Sequence, residues 1–223
     1  MAENPGPLVE RLVAAGEWPN PILLRGIASL GADAVPALVA ALRACGSDPE
    51  PSPTRGHLLG LLSVLPGDES LPELLALLRA EVAEELLARA VVARGPVAIE
   101  PLREMMRSDG VNWFVRGLAA QLALACAGEQ AEPVCAEMRE MLRDLVARRE
   151  TLTPDERAFA GSLIVDLAHL PDRSAADLLR EAVGLTDLIQ PHDLERLLRS
   201  PPEWTDTLDW LADYRERYDE REL

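Results

Sequence analysis

The sequence predicts an all-α protein: an array of about five helical hairpins followed by a C-terminal helical cap. Three observations predict it. Of the 223 residues, 48% are apolar but only 4% are aromatic. Ala and Leu therefore supply the bulk, which suits close helix packing better than sheets rich in β-branched and aromatic residues. Short segments with apolar residues at i, i+3 or i+4 recur along the chain, each ending in an apolar residue followed by arginine. Each is preceded by another apolar segment that carries an arginine near its start.

Taken in order, the chain opens with a helix near 7–15. The first hairpin lies near 19–45, pairing LLRGIASLGAD (23–33) with VPALVAALR (35–43). GSDPEPSPT (46–54) follows as a polar, proline-rich surface loop that includes Ser52-Pro53. The second hairpin, near 54–80, joins TRGHLLGLLSVLPGD (54–68) to LPELLALLR (71–79). The third, near 82–108, joins LLARAVVARGP (86–96) to IEPLREMMR (99–107). The fourth, near 112–147, joins FVRGLAAQLALACAG (114–128) to AEMREMLR (136–143). The fifth, near 153–184, joins DERAFAGSLIVDLAH (155–169) to SAADLLR (174–180), a weaker copy.

The arginines closing the second helices are Arg43, Arg79, Arg107, Arg143 and Arg180, at intervals of 36, 28, 36 and 37 residues. Periods of that size mark helical-hairpin arrays. The first helices carry Arg25, Arg55, Arg89, Arg116 and Arg157 near their starts, and four of the five end in a Gly or Pro-Gly turn. Gly26, Gly56 and Gly117 directly follow three of these arginines, as expected where a neighbouring helix approaches closely. Ser70 with Glu73 and Thr153 with Glu156 have the spacing of a capping box, with proline in the first turn, where its missing N–H costs nothing.

After residue 184 the pattern changes, so residues 1–184 form the array and 185–223 the cap. A short helix at about 192–199 is stopped by Pro201-Pro202, and a final helix starts near Thr205. Trp210, Tyr214 and Tyr218 make one stripe of that helix, with Trp204 just before it. The stripe reads either as the cap closing the array or as an interaction site.

NWFVRGLAAQLALACAGEQAEPVCAEMREML (112–142), with its Val-Arg-x-x-Ala-Ala-x-x-Leu core, resembles a repeat of HEAT-type proteins, relatives of the armadillo repeats. EWPNPILLRGIASLGADAVPALVAALR (17–43) resembles the opening of small bacterial HEAT-like proteins. The likeness spans roughly residues 17 to 184. It implies a right-handed α-solenoid whose second helices line the concave surface.

Charge narrows the function. The net charge is −16, with 38 acidic residues against 22 basic ones, every one of them arginine. That opposes nonspecific binding to nucleic acid or anionic membrane and suits a basic partner. No uninterrupted apolar run is long enough for a membrane span, and MAENPGPLVERLVAAGEW has no signal-peptide pattern, so the expected location is cytoplasmic. Cys45, Cys126 and Cys135 have neither redox nor zinc spacing.

His57, His169 and His192 are isolated, and the repeated His-Glu pairs of HEAT-like iron hydroxylases are missing; no metal site and no cofactor are expected. There is no nucleophile elbow, P-loop or dinucleotide fingerprint. Asp166 and Glu156 read as solvated or paired acids. No catalytic residue is expected, and the charge argues against a HEAT-like nucleic-acid-processing enzyme.

The expected function is a noncatalytic acidic scaffold or adaptor that holds a protein or peptide on its concave face. The rival is an inhibitor or immunity-type protein that blocks a basic target. Candidate partner-binding residues are Arg43, Arg79, Arg107 and Arg143, with Trp113 beside them, because arginine binds carboxylate or phosphate in a two-point fork. The structural alternative for the same arginines is favourable contact with their helix C-termini and pairing with acids of the next repeat.

Overall fold

The structure is a computed structural model that describes residues 4–17, 19–82, 85–170 and 172–200. All regular elements among these residues are helical. The α-helices are α1 (Gly6–Ala14), α2 (Pro21–Ser29), α3 (Val35–Ala44), α4 (Pro53–Val64), α5 (Leu71–Arg79) and α6 (Glu85–Val92). They continue as α7 (Ile99–Arg107), α8 (Trp113–Ala127), α9 (Glu132–Ala147), α10 (Pro154–His169), α11 (Ala176–Ala182) and α12 (Pro191–Arg199). The final helix expected from Thr205, with Trp204, Trp210, Tyr214 and Tyr218, lies outside the described residues.

Local chemistry explains the boundaries. Proline occupies the first or second position of α2, α3, α4, α5, α9, α10 and α12, where no intrahelical donor is lost. Asn20, Ser52, Asn112 and Thr153 cap α2, α4, α8 and α10 with side-chain oxygens. Three of the first helices end at a glycine in the left-handed region, Gly31 (φ 60°), Gly95 (φ 62°) and Gly128 (φ 52°). Each glycine opens a short 3₁₀ turn leading to the next helix.

The two expected capping boxes diverge. At Thr153 the box is complete: its hydroxyl accepts from Glu156 N at 3.2 Å, and Glu156 accepts from Thr153 N at 2.8 Å. Ser70 makes no cap bond, because its backbone is already helical (φ −77°, ψ −20°). Its hydroxyl is fully buried and instead accepts from Arg94 Nη1 at 3.3 Å.

The chain divides into two compact units, one ending at Ala98 and the other starting at Ile99, inside the hairpin expected near 82–108. In the first unit α4 packs on α2 and α6, α3 packs on α5, and α1 covers α2 and α3. Its core is almost wholly aliphatic, with Leu12, Ile27, Leu38, Leu42, Leu58, Leu62 and Leu74 excluded from solvent. In the second unit α10 is central, touching α8, α9, α11 and α12, while α7 packs on α8 and α9 on α11. Its core mixes Ala119, Ala120 and Ala123 with Met105, Met106, Met138 and Phe159. Small residues allow close approach there: a Cβ on Gly117 would lie 2.8 Å from Ser162 Oγ. Gly26 differs from that expectation, since a Cβ there meets nothing within 4 Å.

Candidate functional site

The second-helix arginines fall into two groups. Arg43, at the end of α3, donates Nε to Glu73 Oε2 of α5 at 2.9 Å. Arg107, at the end of α7, grips Glu137 of α9 in a fork, Nε to Oε1 and Nη2 to Oε2 at 3.2 Å. Arg103, one turn earlier, adds Nε to the same carboxylate at 2.5 Å, and Glu100 bridges both arginines. Burial works to raise the Glu137 carboxyl, but the hydrogen bonds from Arg107 and Arg103 outweigh it and hold the group below the usual range. Arg180 of α11 forms the same fork with Glu195 of α12, at 2.7 and 3.4 Å.

Arg79 and Arg143 are exposed and have no ion-pair or hydrogen-bond partner among the described residues. The sequence explains why. Six residues before a second helix's terminal arginine stands the residue that receives the preceding second helix's arginine: Glu73 before Arg79, and Glu137 before Arg143. At the corresponding position before Arg180, in the unit that holds Arg143, stands Ser174, which carries no charge. Arg43 and Arg107 are thus neutralised, while Arg143 is left open among the described residues.

Trp113 opens α8 half-buried. It meets the exposed Phe114 edge-on, with ring centroids 6.0 Å apart. Arg143 and Trp113 belong to the second unit, as does Arg107, whereas Arg43 and Arg79 belong to the first.

Of the first-helix arginines, Arg55, Arg116 and Arg157 turn inward, whereas Arg25 is exposed. Arg55 is 1% exposed and donates to the Glu50 carbonyl. Arg116 lies over the Phe159 ring at 4.1 Å and donates Nε to the Met106 carbonyl at 2.9 Å. Asp109 Oδ1 lies 3.4 Å from its Nη1. Arg157 reaches the carbonyls of Leu185 and Arg149. These residues tie neighbouring backbone together and offer no free guanidinium to a ligand.

A comparable role went unrecognised in the sequence. Arg94, 5% exposed, donates to the carbonyls of Ala90 at 3.2 Å, Leu62 at 2.5 Å, Leu65 at 2.8 Å and Gly67. It therefore closes the C-terminal end of α4, whose last carbonyls lack partners within the helix. Burial lowers its pKa, and Asp68 and Glu69 work against that. In the second unit Arg173 does the same for α10, donating to Ala168 at 3.2 Å and Leu170 at 2.8 Å. The available signal was positional: both arginines sit in the turn between the two helices of a hairpin.

Two acids separate in character. Glu156 is paired with Arg148 at 2.8 Å, and its hydrogen bonds, first from the Thr153 backbone, bring it down to about 2. Asp166 departs from the expectation of a solvated or paired acid. It is half-buried on α10 without a partner among the described residues, and loss of solvation pushes it up to about 7.

Burial raises the Cys126 and Cys135 thiols to about 11, a setting for inert cysteine. No group of three or more His, Cys, Asp or Glu among the described residues is placed to hold a metal ion. No helix among them is long and apolar enough to cross a membrane. The chain matches no family model, no curated protein and no solved structure.

Proposed function

We propose that the protein is a noncatalytic scaffold or adaptor of HEAT-like, right-handed solenoid build, holding a protein or peptide partner on the face made by its second helices. The observation that supports this is the neighbour pattern inside each unit. In the first unit α2, α4 and α6 touch in succession, as do α3 and α5; in the second, α8 touches α10 and α9 touches α11. First helices beside first helices and second beside second is the arrangement of a repeat array, and such arrays bind through extended faces without a single motif.

Photo-crosslinking tests the reading. A crosslinking residue at exposed second-helix positions Ala40, Ala76, Glu104 or Glu140 is expected to capture the partner from native-host extract. The same residue at Ile22 or Val64, exposed on first helices, is expected to capture little. Capture from the first-helix positions alone overturns the assignment of the face.

A second reading is an inhibitor that covers a basic target, favoured by exposed carboxylates without partners, such as Glu104 and Glu140. Binding that falls steeply from 50 to about 300 mM salt supports that reading, whereas salt-insensitive binding removes it.

A further inference from the structure

We infer that Arg143 is a receptor for a partner's carboxylate, a rung of the second unit's arginine–glutamate ladder that none of the described residues fills. The inference rests on the proposed binding face and names the chemistry that face recognises.

Three second helices of this unit, α7, α9 and α11, carry an arginine at matching register, Arg107, Arg143 and Arg180; α7 ends on its arginine, whereas α9 runs on to Ala147 and α11 to Ala182. Two of these guanidinium groups are occupied in the same way, the Nε and Nη2 edge against both oxygens of one glutamate, which stands on α9 for Arg107 and on α12 for Arg180. The shared geometry shows what this position binds when a carboxylate is within reach. The middle rung is empty because Ser174 stands where Glu137 stands one repeat earlier. Ser174 cannot serve as a substitute: its hydroxyl is engaged by Asp172 at 2.5 Å and Arg139 at 3.2 Å. Arg143 therefore keeps an exposed two-donor edge.

The neighbouring charges select the occupant. Glu140, one turn before Arg143, is exposed and unpaired among the described residues, and Asp144, next after Arg143, is paired with Arg148 at 2.9 Å. A doubly charged phosphate is repelled by these acids. A peptide carrying a glutamate or aspartate beside a lysine or arginine places a negative group on Arg143 and a positive one on Glu140. The ligand is therefore a protein segment of mixed charge.

The test uses the full chain and two synthetic peptides, one alternating lysine and glutamate, the other lysine and glutamine. Binding is followed through the Nε–H resonances of arginine in ¹⁵N-labelled protein. The lysine–glutamate peptide is expected to shift the Arg143 resonance while leaving Arg107 and Arg180 unmoved, and to bind about tenfold tighter than its glutamine counterpart. Arg143→Glu is expected to abolish that preference. So is Ser174→Glu, which supplies the missing rung from within the chain. Arg143→Gln, a milder change, gives the same readout if Ser174→Glu does not fold.

Equal binding of the two peptides through shifts elsewhere on the second helices overturns the carboxylate receptor while leaving the binding face standing. Binding unaffected by Ser174→Glu in folded protein also overturns it. Failure of either peptide to bind overturns the receptor and weighs against the face itself.

Discussion

The second helices of the two units are built to one pattern and stabilised in opposite ways. In the first unit α3 and α5 read VPALVAALR and LPELLALLR. Val39 and Leu75, one turn before the closing arginine, are buried. In the second unit the same register holds Arg103 in α7 and Arg139 in α9, whose guanidinium groups reach carboxylates on neighbouring segments. The first unit buries aliphatic surface there; the second builds a partly exposed ionic lattice. Even the buried polar ties differ. Arg94 serves four neutral carbonyls in the first unit, whereas Glu137 in the second is held by two arginines. Either chemistry is thus accommodated at one register position of these helices, aliphatic burial in the first unit and ion pairing in the second.

Removing Arg94 is expected to have the largest effect. Arg94→Ala leaves several buried carbonyls unsatisfied and should cost about 3 kcal/mol or more. Hydrogen exchange on the full chain should show lost protection concentrated in α4 to α6, with little dependence on salt. An unchanged exchange pattern would remove Arg94 as the tie of that unit.

Overpacking the second unit comes next. Gly117→Ala puts a methyl 2.8 Å from Ser162 Oγ and 2.9 Å from its Cβ, a conflict expected to cost about 1–3 kcal/mol. Ser162→Gly in the same chain should restore most of it, measured by urea unfolding. No rescue would mean that the strain lies elsewhere.

The ionic lattice is expected to contribute less. Glu137→Gln should cost about 1 kcal/mol in low salt, and the difference from wild type should shrink as salt rises. A cost that does not change with salt would contradict a charge-based role.

A separate effect is one of pH, and its sign is specific. Asp166 is raised to about 7 by burial, so its protonated form belongs to the folded state. Its contribution is complete below the ordinary aspartate pKa and is lost as pH rises through about 7. Glu156, lowered to about 2, acts in the opposite sense: its contribution is present above the usual glutamate pKa and is lost as pH falls through about 2. Melting temperatures measured between pH 5 and 8 should therefore decline more steeply in wild type than in Asp166→Asn. Parallel curves would refute the raised pKa of Asp166.

Much of the local structure was legible in the residues. Helix starts could be read from Pro21, Pro36, Pro72 and Pro154, and the turns from Gly31, Gly95 and Gly128, because proline and glycine act through their own backbone restrictions. The site was legible in part. The arginine column is a sequence feature, and so is the presence or absence of a glutamate six residues before each terminal arginine. What the column meant was not legible, since Arg107 and Arg143 look alike until the distance to Glu137 is known. Arg94 was missed for a related reason: its partners are backbone carbonyls, which every residue has and no sequence pattern marks.

The sequence by itself determined the all-α class, the order of the helices and the net charge, because each follows from local propensity, periodicity and composition. Only the tertiary structure decided which polar groups are satisfied. Ser70 and Thr153 carry the same signature, yet only Thr153 caps its helix, because packing brings Arg94 to Ser70. Hydrogen bonds and ion pairs depend on ångström distances between segments about 30 residues apart, and those distances exist only once the helices are packed.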